Sequence, residues 1–166
     1  SKERDENQSR IMKLSEILKN LKYSYDIAGR NYFDLFHDEL ETHNFDKDLL
    51  LRFVQDLPAS PDVCDFGCGP AAQYAGFISD YCGTTFAVDL SCECIKLAKK
   101  NNPEIVFSCE NMLESSFEDS SLDGVISFYS LFHIPKEFND MFFSEAFRVL
   151  KPGGRLLLMT HKGDLR

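Results

Sequence analysis

From residue 62 onward, short apolar runs alternate with segments of helical periodicity, and this alternation limits the possible folds more than any other feature. The predicted strands are 62–66, 84–90, 104–110, 122–130 and 155–161, and the predicted helices between them are about 71–81, 91–101 and 136–150. Strands with little polar alternation, separated by helices, indicate a parallel sheet covered on both faces. The sequence therefore predicts a doubly wound α/β fold with a mostly parallel sheet.

About sixty residues of helical character precede the first strand. Residues 10–21 place apolar side chains at helical spacing, 23–40 are rich in aromatic residues, and 46–57 form a third helical run that ends at Pro58. We expect residues 1–24 to form an amphipathic helical extension and residues 25–166 to form the main domain.

Charge and hydropathy narrow the range of partners. The 166 residues carry a formal net charge of −9, so most of the surface should repel a phosphate backbone. The sequence has no apolar stretch long enough to cross a bilayer. These features argue against nucleic-acid and membrane partners and favour a small-molecule ligand.

The six cysteines do not follow a metal-site pattern. Their spacings include no paired C-x2-C units and no histidine at zinc-ligand spacing, so no metal site is predicted. We expect the thiols to be reduced. The N-terminal residues contain no apolar signal core, and the two features together predict a cytoplasmic protein.

The stretch VCDFGCGPAA joins the first strand to the next helix. Gly67 and Gly69 allow a sharp turn and the close approach of a ligand. The pattern G-x-G-x-x-A is common in nucleotide-binding turns, but Asp65 would sit badly beside a diphosphate. A carboxylate there suits a cationic group such as an ammonium. The alternative is a plain strand–helix turn with an Asp that is satisfied at the surface.

Polar residues also follow the next three strands. Asp89 lies about 20 residues beyond the glycine turn, where an acid can accept hydrogen bonds from ribose hydroxyls; it could instead be an acid at the start of the helix capped by Ser91. Asn111 and Met112 follow the third strand and could contact an adenine, or form a plain loop. Phe128 and His133 follow the fourth strand.

These motifs, taken in order, resemble the class I S-adenosylmethionine-dependent methyltransferases. The resemblance rests on DFGCGPA, VDLS, ENML, LDGVISFYSLFHIP and RVLKPGGRLLL, and covers about residues 25–162. It is nearest to the small stand-alone methyltransferases with unassigned acceptors. The resemblance implies a Rossmann-like fold that binds S-adenosylmethionine. It also implies that the family's C-terminal strands are missing, because relatives continue with a helix and an antiparallel pair.

The resemblance also implies roles for individual residues. Asp65 would face the cofactor's amino group, the turn would cradle its methionine part, Asp89 would bind the ribose, and aromatic side chains from the helical lead-in would close over the cofactor. The implied cofactor-binding residues are Asp65, Gly67, Cys68, Gly69, Asp89, Leu90, Asn111, Met112, Phe128, Tyr25 and Tyr32. Two positions depart from the family pattern, since Asn111 replaces the usual Asp and Glu110 the common Gly.

The implied function is in-line transfer of a methyl group from S-adenosylmethionine to a small-molecule acceptor. His133 is the first candidate for a general base and His161 the second. One alternative is a non-catalytic cofactor-binding or scaffold module of the same fold, and another is an NAD-dependent oxidoreductase. The N-terminal helix and the open edge of the sheet are the candidate surfaces for self-association.

Overall fold

A five-stranded parallel sheet forms the centre of the molecule. The computed structural model describes residues 2–161, and its strands are β1 (Asp62–Phe66), β2 (Thr84–Asp89), β3 (Val106–Cys109), β4 (Leu122–Phe128) and β5 (Leu150–Met159). Their order across the sheet is β3-β2-β1-β4-β5, and every neighbouring pair is parallel. The order reverses direction beside β1, so the carboxyl ends of β1, β2 and β4 border the crevice where such folds bind ligands.

Helices precede the sheet and cover both its faces. They are α1 (Lys2–Phe36), α2 (Glu39–Thr42), α3 (Asn44–Gln55), α4 (Gln73–Ile78), α5 (Cys92–Asn101) and α6 (Asn139–Val149), with single 3₁₀ turns at Ser79–Tyr81, Leu131–His133 and Lys136–Phe138. Within residues 2–161, none of the helices combines the length and apolar character that crossing a bilayer requires. The predicted doubly wound α/β fold with a helical lead-in is confirmed.

The two faces of the sheet are packed by different helices. Alternate side chains of β1 point to opposite faces: Val63 packs against α3 and α4, whereas Cys64 and Phe66 pack against α1 and α6. β1 and β4 are almost wholly buried, which explains why their sequences show no regular alternation of apolar and polar residues.

The helical lead-in differs from its prediction. Residues 10–21 and 23–36, expected to lie in two helices, form part of one continuous helix of 35 residues, α1, whereas Glu39 and Leu40 belong to the separate short helix α2. Leu14, near its middle, is buried in the core, and Gly29 packs so closely on α5 that an added Cβ would lie 2.9 Å from the Cys94 sulfur. The predicted division between residues 24 and 25 therefore falls inside a helix, and the domain division stays a prediction.

The cysteines require a correction. Cys92, at the start of α5, and Cys109, at the end of β3, form a disulfide with a Cα–Cα distance of 5.1 Å. The prediction of reduced thiols is wrong for this pair, although Cys64, Cys68, Cys82 and Cys94 are unpaired. The thiol argument therefore no longer supports the cytoplasmic prediction.

The predicted KPGG turn also differs from its expectation. Residues 151–154 lie within the bounds of β5, where the pairing with β4 shifts register. Gly153 has φ of +81°, a conformation that glycine adopts without strain. The segment is thus an irregular start to the strand rather than a turn that precedes it.

Candidate active site

A cleft opens at the carboxyl ends of β1, β2, β3 and β4, with α1 along one side. It holds about 950 Å³ of empty space when the open solvent at its mouth is included. Most of the residues predicted to form the site line it. They are Tyr25, Tyr32, Gly67, Cys68, Gly69, Asp89, Leu90, Asn111, Met112, Phe128 and His133.

The glycine turn crosses the floor of the cleft in a conformation that depends on both glycines. Gly67 and Gly69 have φ of +80° and +68°. An added Cβ at Gly67 would collide with Ser130, whereas the same position at Gly69 faces open space. The N–H groups of Gly67 and Cys68 both donate to the carbonyl of Val88. The turn therefore offers a ligand close backbone approach, while these two amide donors hold β1 to β2.

Asp65 lies directly below the turn and has lost contact with water. Its exposed fraction is 1%, and neither carboxylate oxygen has a hydrogen-bond partner among residues 2–161. Burial, followed by the negative charge of Asp89, raises the pKa of Asp65 to about 8; the Ala75 N–H, which lies near the carboxyl but outside hydrogen-bonding geometry, partly opposes the shift. A buried carboxyl without partners is costly to keep charged, so this side chain suits a ligand that brings a positive group.

Asp89 is placed to hold both the turn and a ligand. One carboxylate oxygen accepts from the Gly69 N–H at 3.0 Å and the other from the Ser91 N–H at 2.9 Å. Ser91 caps α5 by accepting from the Cys94 N–H, as predicted for the N-cap. Each carboxylate oxygen can accept more than one hydrogen bond, so Asp89 retains capacity for two hydroxyl donors.

The segment after β3 forms the far wall of the cleft. The Asn111 side chain accepts from the Leu113 N–H at 2.9 Å, and the Met112 sulfur lies 3.8 Å from the Ser130 hydroxyl. Glu110 also lines the cleft, and its carboxylate accepts hydrogen bonds from the N–H and the hydroxyl of Ser116. The Cys92–Cys109 disulfide ties this wall to the segment that carries Asp89.

Tyr25 and His133 meet on the opposite side. The Tyr25 hydroxyl and the His133 Nε2 share a hydrogen bond of 2.6 Å, which joins α1 to the 3₁₀ turn after β4. Burial lowers the pKa of His133, while burial and then Tyr32 raise the pKa of Tyr25. A neutral imidazole next to a neutral phenol can accept or relay a proton.

Two predicted residues lie away from the cleft surface. Asp65 is beneath the floor rather than on it. His161 is exposed, packs its ring on Tyr129 and Phe132 with centroid distances of 4.9 and 5.2 Å, and is not among the lining residues. The structure therefore brings His133 into the cleft and leaves His161 outside it.

Sequence reasoning missed several lining residues. Glu39 follows α1, Lys22 lies within it, and Tyr74 is in the first turn of α4, where its ring stacks on Phe128 at 4.3 Å. None of these belongs to a strand-end motif, and their positions depend on how α1, α2 and α4 pack together. Of these three residues, only Tyr74 had a signal in the sequence, because it is an aromatic residue shortly after the glycine turn.

The sequence pattern of a family described as "Methyltransferase domain" matches residues 64–158, which is more than half of the chain and includes the glycine turn, Asp89 and His133. The chain belongs to this methyltransferase family. The match confirms the resemblance and favours it over the oxidoreductase alternative, which rested on the glycine spacing alone.

Individual relatives agree with the family. The chain is 30% identical over 102 residues to a probable S-adenosylmethionine-dependent methyltransferase of Mycolicibacterium smegmatis, covering 61% of this chain and 38% of the relative. It is 25% identical over 123 residues to phosphoethanolamine N-methyltransferase 2 of Caenorhabditis elegans, covering 70% and 28%. The crystal structure of the YcgJ protein from Bacillus subtilis superimposes with a TM-score of 0.62 at 26% identity, covering 70% of this chain and 50% of that one. The chain thus spans half or less of the length of these relatives.

Proposed function

We propose that the protein binds S-adenosylmethionine and transfers its methyl group to a small-molecule acceptor. The observation that carries this proposal is the buried carboxylate of Asp65, which has no hydrogen-bond partner within residues 2–161. It lies below the glycine turn, and the turn is held by Asp89 at the end of β2. A family relative described as S-adenosylmethionine-dependent supports the choice of cofactor.

The residues present fit this cofactor. Asp65, which lies beneath the floor with its pKa raised to about 8, would ionise when an α-ammonium group binds above it, and Gly69 leaves open space where a side chain would block a ligand. Asp89 can accept from ribose hydroxyls, Leu90 and Met112 offer apolar surface to a base, and Asn111 offers an amide. Phe128, Tyr25 and Tyr32 provide aromatic surface along the remaining side. When bound, the cofactor supplies a methyl group on a sulfonium sulfur, which an acceptor takes by in-line displacement.

The chain's own contribution to the reaction is orientation, exclusion of water and the handling of one proton. Aromatic side chains enclose the cleft, which limits the access of water to an electrophile. His133 is the general-base candidate because it is neutral and lines the cleft, and Tyr25 fixes its ring through the 2.6 Å hydrogen bond. His161 remains a second candidate that would have to move to reach the cleft.

Binding of the demethylated cofactor, S-adenosylhomocysteine, tests the proposal directly. We expect isothermal titration calorimetry to show saturable binding of S-adenosylhomocysteine and no comparable binding of NAD. Stabilisation by NAD alone would refute the proposal and favour an oxidoreductase.

A substitution at Asp89 tests the site. Asp89→Ala should weaken S-adenosylhomocysteine binding at least tenfold, because it removes the ribose acceptor and releases the Gly69 amide. Asp62→Asn serves as the control, because Asp62 begins β1, at the edge of the sheet away from the cleft, and is not a lining residue. Unchanged affinity in Asp89→Ala would remove Asp89 from this role.

The proposed acceptor is a small molecule rather than a nucleic acid or a membrane. The support for this is a cleft lined by α1 and by the strand ends, together with a net charge of −9, which disfavours polyanions. The exposed face of α1 and the edge strand β5 remain proposed surfaces for self-association, since Ile11, Met12 and Ile27 on α1 are all more than half exposed.

A further inference from the structure

At the mouth of the cleft, beyond the glycine turn, three tyrosine side chains converge with two carboxylates. Tyr32 comes from α1, Tyr74 from α4 and Tyr129 from the residue after β4, and all three line the cleft. Glu39 also lines it at the start of α2, and Asp46 is buried behind Tyr129 on α3. None of these residues except Tyr32 has a role in the proposed cofactor site.

The phenols and the carboxylates are close enough to influence one another. The Tyr129 hydroxyl lies 3.5 Å from an Asp46 carboxylate oxygen, and the Tyr74 and Tyr129 rings are 6.4 Å apart. Burial raises the pKa of Tyr74, and the negative charges of Asp46 and Glu39 raise it further. Burial followed by Glu39 does the same for Tyr32. The three hydroxyls therefore stay protonated and share one electronegative region.

The Tyr74 hydroxyl is the observation that points to a ligand. Tyr74 is only 7% exposed, and its hydroxyl oxygen makes no hydrogen bond with any part of the chain that the structure describes. A buried hydroxyl without a partner costs roughly 1–3 kcal/mol, and tyrosines that are buried elsewhere usually find one. A ligand that donates or accepts one hydrogen bond here would remove that cost.

Charge limits what this ligand can be. Glu39 lines the region and Asp46 lies behind it, and the ring nitrogens of His43 are 4.0 and 3.6 Å from their carboxylates. His43 carries one positive charge at most, so the region is negative or at best partly compensated. Aromatic faces together with carboxylates form the kind of surface that attracts an ammonium group.

We propose that Glu39, Asp46, Tyr74 and Tyr129 form a subsite for the protonated amine of the methyl acceptor. This inference deepens the proposed function and rests on it, because the subsite shares the cleft with the cofactor. The amine N–H groups would donate to the Tyr74 hydroxyl and to Glu39, and the rings of Tyr32 and Tyr129 would contact its carbon atoms. In the proposed cofactor site Asp65 would serve the cofactor's own ammonium group, which would leave Glu39 and Asp46 for a second cation.

The test compares amines with alcohols of the same shape. Protein saturated with S-adenosylhomocysteine is titrated, with NMR detection, with methylamine, ethanolamine, benzylamine and tyramine, and in parallel with the corresponding alcohols. We expect at least one amine to bind tenfold or more tightly than its alcohol. Equal binding of amine and alcohol across all four pairs would overturn the subsite.

Variants then locate the binding. Glu39→Gln and Tyr74→Phe should each lower amine affinity at least fivefold and leave S-adenosylhomocysteine affinity within twofold; Tyr74→Phe keeps the ring that stacks on Phe128. Glu41→Gln is the matched control, since Glu41 lies on the same short helix, is exposed and is not among the lining residues. Circular dichroism confirms that each variant is folded.

The remaining outcomes separate the two proposals. If Glu39→Gln weakens S-adenosylhomocysteine instead of amines, the carboxylate serves the cofactor and the subsite is refuted. If the protein selects amines in the same way without any S-adenosylhomocysteine bound, and does not bind S-adenosylhomocysteine at all, the subsite is supported and the proposed function fails.

Discussion

Asp65 is an unusual residue because it is an acid that the fold keeps where a charge is unfavourable. With no hydrogen-bond partner in residues 2–161 and a pKa raised to about 8 by burial and by Asp89, it binds a proton more tightly in the folded chain than in the unfolded one. Its contribution to folding is therefore fully present below the unfolded pKa of about 3.9, and is lost as the pH rises from there through about 8.

Asp65→Asn should accordingly stabilise the ligand-free protein at pH 8, because the amide cannot ionise. We expect a melting temperature at least ~3 °C above that of the native sequence at pH 8, a gain that shrinks as the pH falls toward 4. Thermal unfolding followed by circular dichroism across this pH range measures the effect. A variant less stable than the native protein at every pH would contradict it.

The same substitution should act in the opposite direction on the ligand. S-adenosylhomocysteine affinity is expected to fall at least tenfold, since the ammonium group would lose its ionic partner. A gain in stability together with a loss of binding is the signature of a residue kept for its ligand rather than for the fold.

The disulfide links two elements that the sheet places side by side. β2 and β3 are neighbours, with Asp89 opposite Cys109, so the start of α5 and the end of β3 lie within bonding distance. The bond closes a loop with a sequence separation of 17 residues, and constraining a loop of that size stabilises a protein by about 3 kcal/mol in the chain-entropy description.

Replacing both cysteines with serine tests this estimate. The Cys92→Ser/Cys109→Ser variant should lose about 3 kcal/mol in the free energy of unfolding, measured by urea denaturation, and should not respond to dithiothreitol. The native protein should lose a similar amount when dithiothreitol is added, whereas Cys82→Ser should respond as the native protein does. Stability that does not depend on the reductant in the native protein would show that the bond is absent in solution.

α1 is anchored to the body of the protein by a few residues, of which Leu14 is the most buried on its apolar face. Leu14→Ala should destabilise the protein by about 3 kcal/mol, because it leaves a cavity beneath the helix. Ile11→Ala, on the same helix at 54% exposure, should cost less than about 0.5 kcal/mol. Equal effects of the two substitutions would show that α1 does not dock in solution as it does here.

The elements differ in how well their sequences predict them. β1 is found within the bounds predicted for it, because its mostly apolar sequence lies between clear turn signals, PASP before it and the glycine turn after it. The sequence predicts two helices where the structure has the single helix α1. Nothing in the sequence shows that Gly29 packs against Cys94 and that the helix continues through it. The Cys92–Cys109 pair depends on strand order, which spacing along the chain does not encode.

The residues of the candidate site also differ in how well the sequence predicts them. Asp65, Asp89 and Asn111 could be predicted because each directly follows or lies in a strand, and parallel strands bring their carboxyl ends together. Glu39 could not, because its direction depends on the packing of α2, where the Leu40 N–H donates to the Gln73 side chain at 2.9 Å. Residues positioned by helix packing need the three-dimensional structure.

At the scale of the whole molecule, charge sets which partners can approach. With 27 acidic and 18 basic residues, the protein repels polyanions over most of its surface. We expect filter binding to show no saturable association with a structured transfer RNA at physiological salt, with a dissociation constant weaker than about 100 µM. A lysozyme sample, which is basic, serves as the positive control, and tight saturable binding would contradict the small-molecule acceptor.

The Tyr25–His133 hydrogen bond has a consequence for how fast ligands exchange. A covalent bond fixes the wall formed by the segments after β2 and β3, while α1 is held to the opposite rim at this point by a hydrogen bond that thermal motion can break. Under the proposed function, opening of this contact would widen the cleft on the α1 side, and the exchange of the cofactor would depend on how often it opens. The helix itself stays docked through Leu14 and through the 2.6 Å hydrogen bond between Asp26 and Ser91.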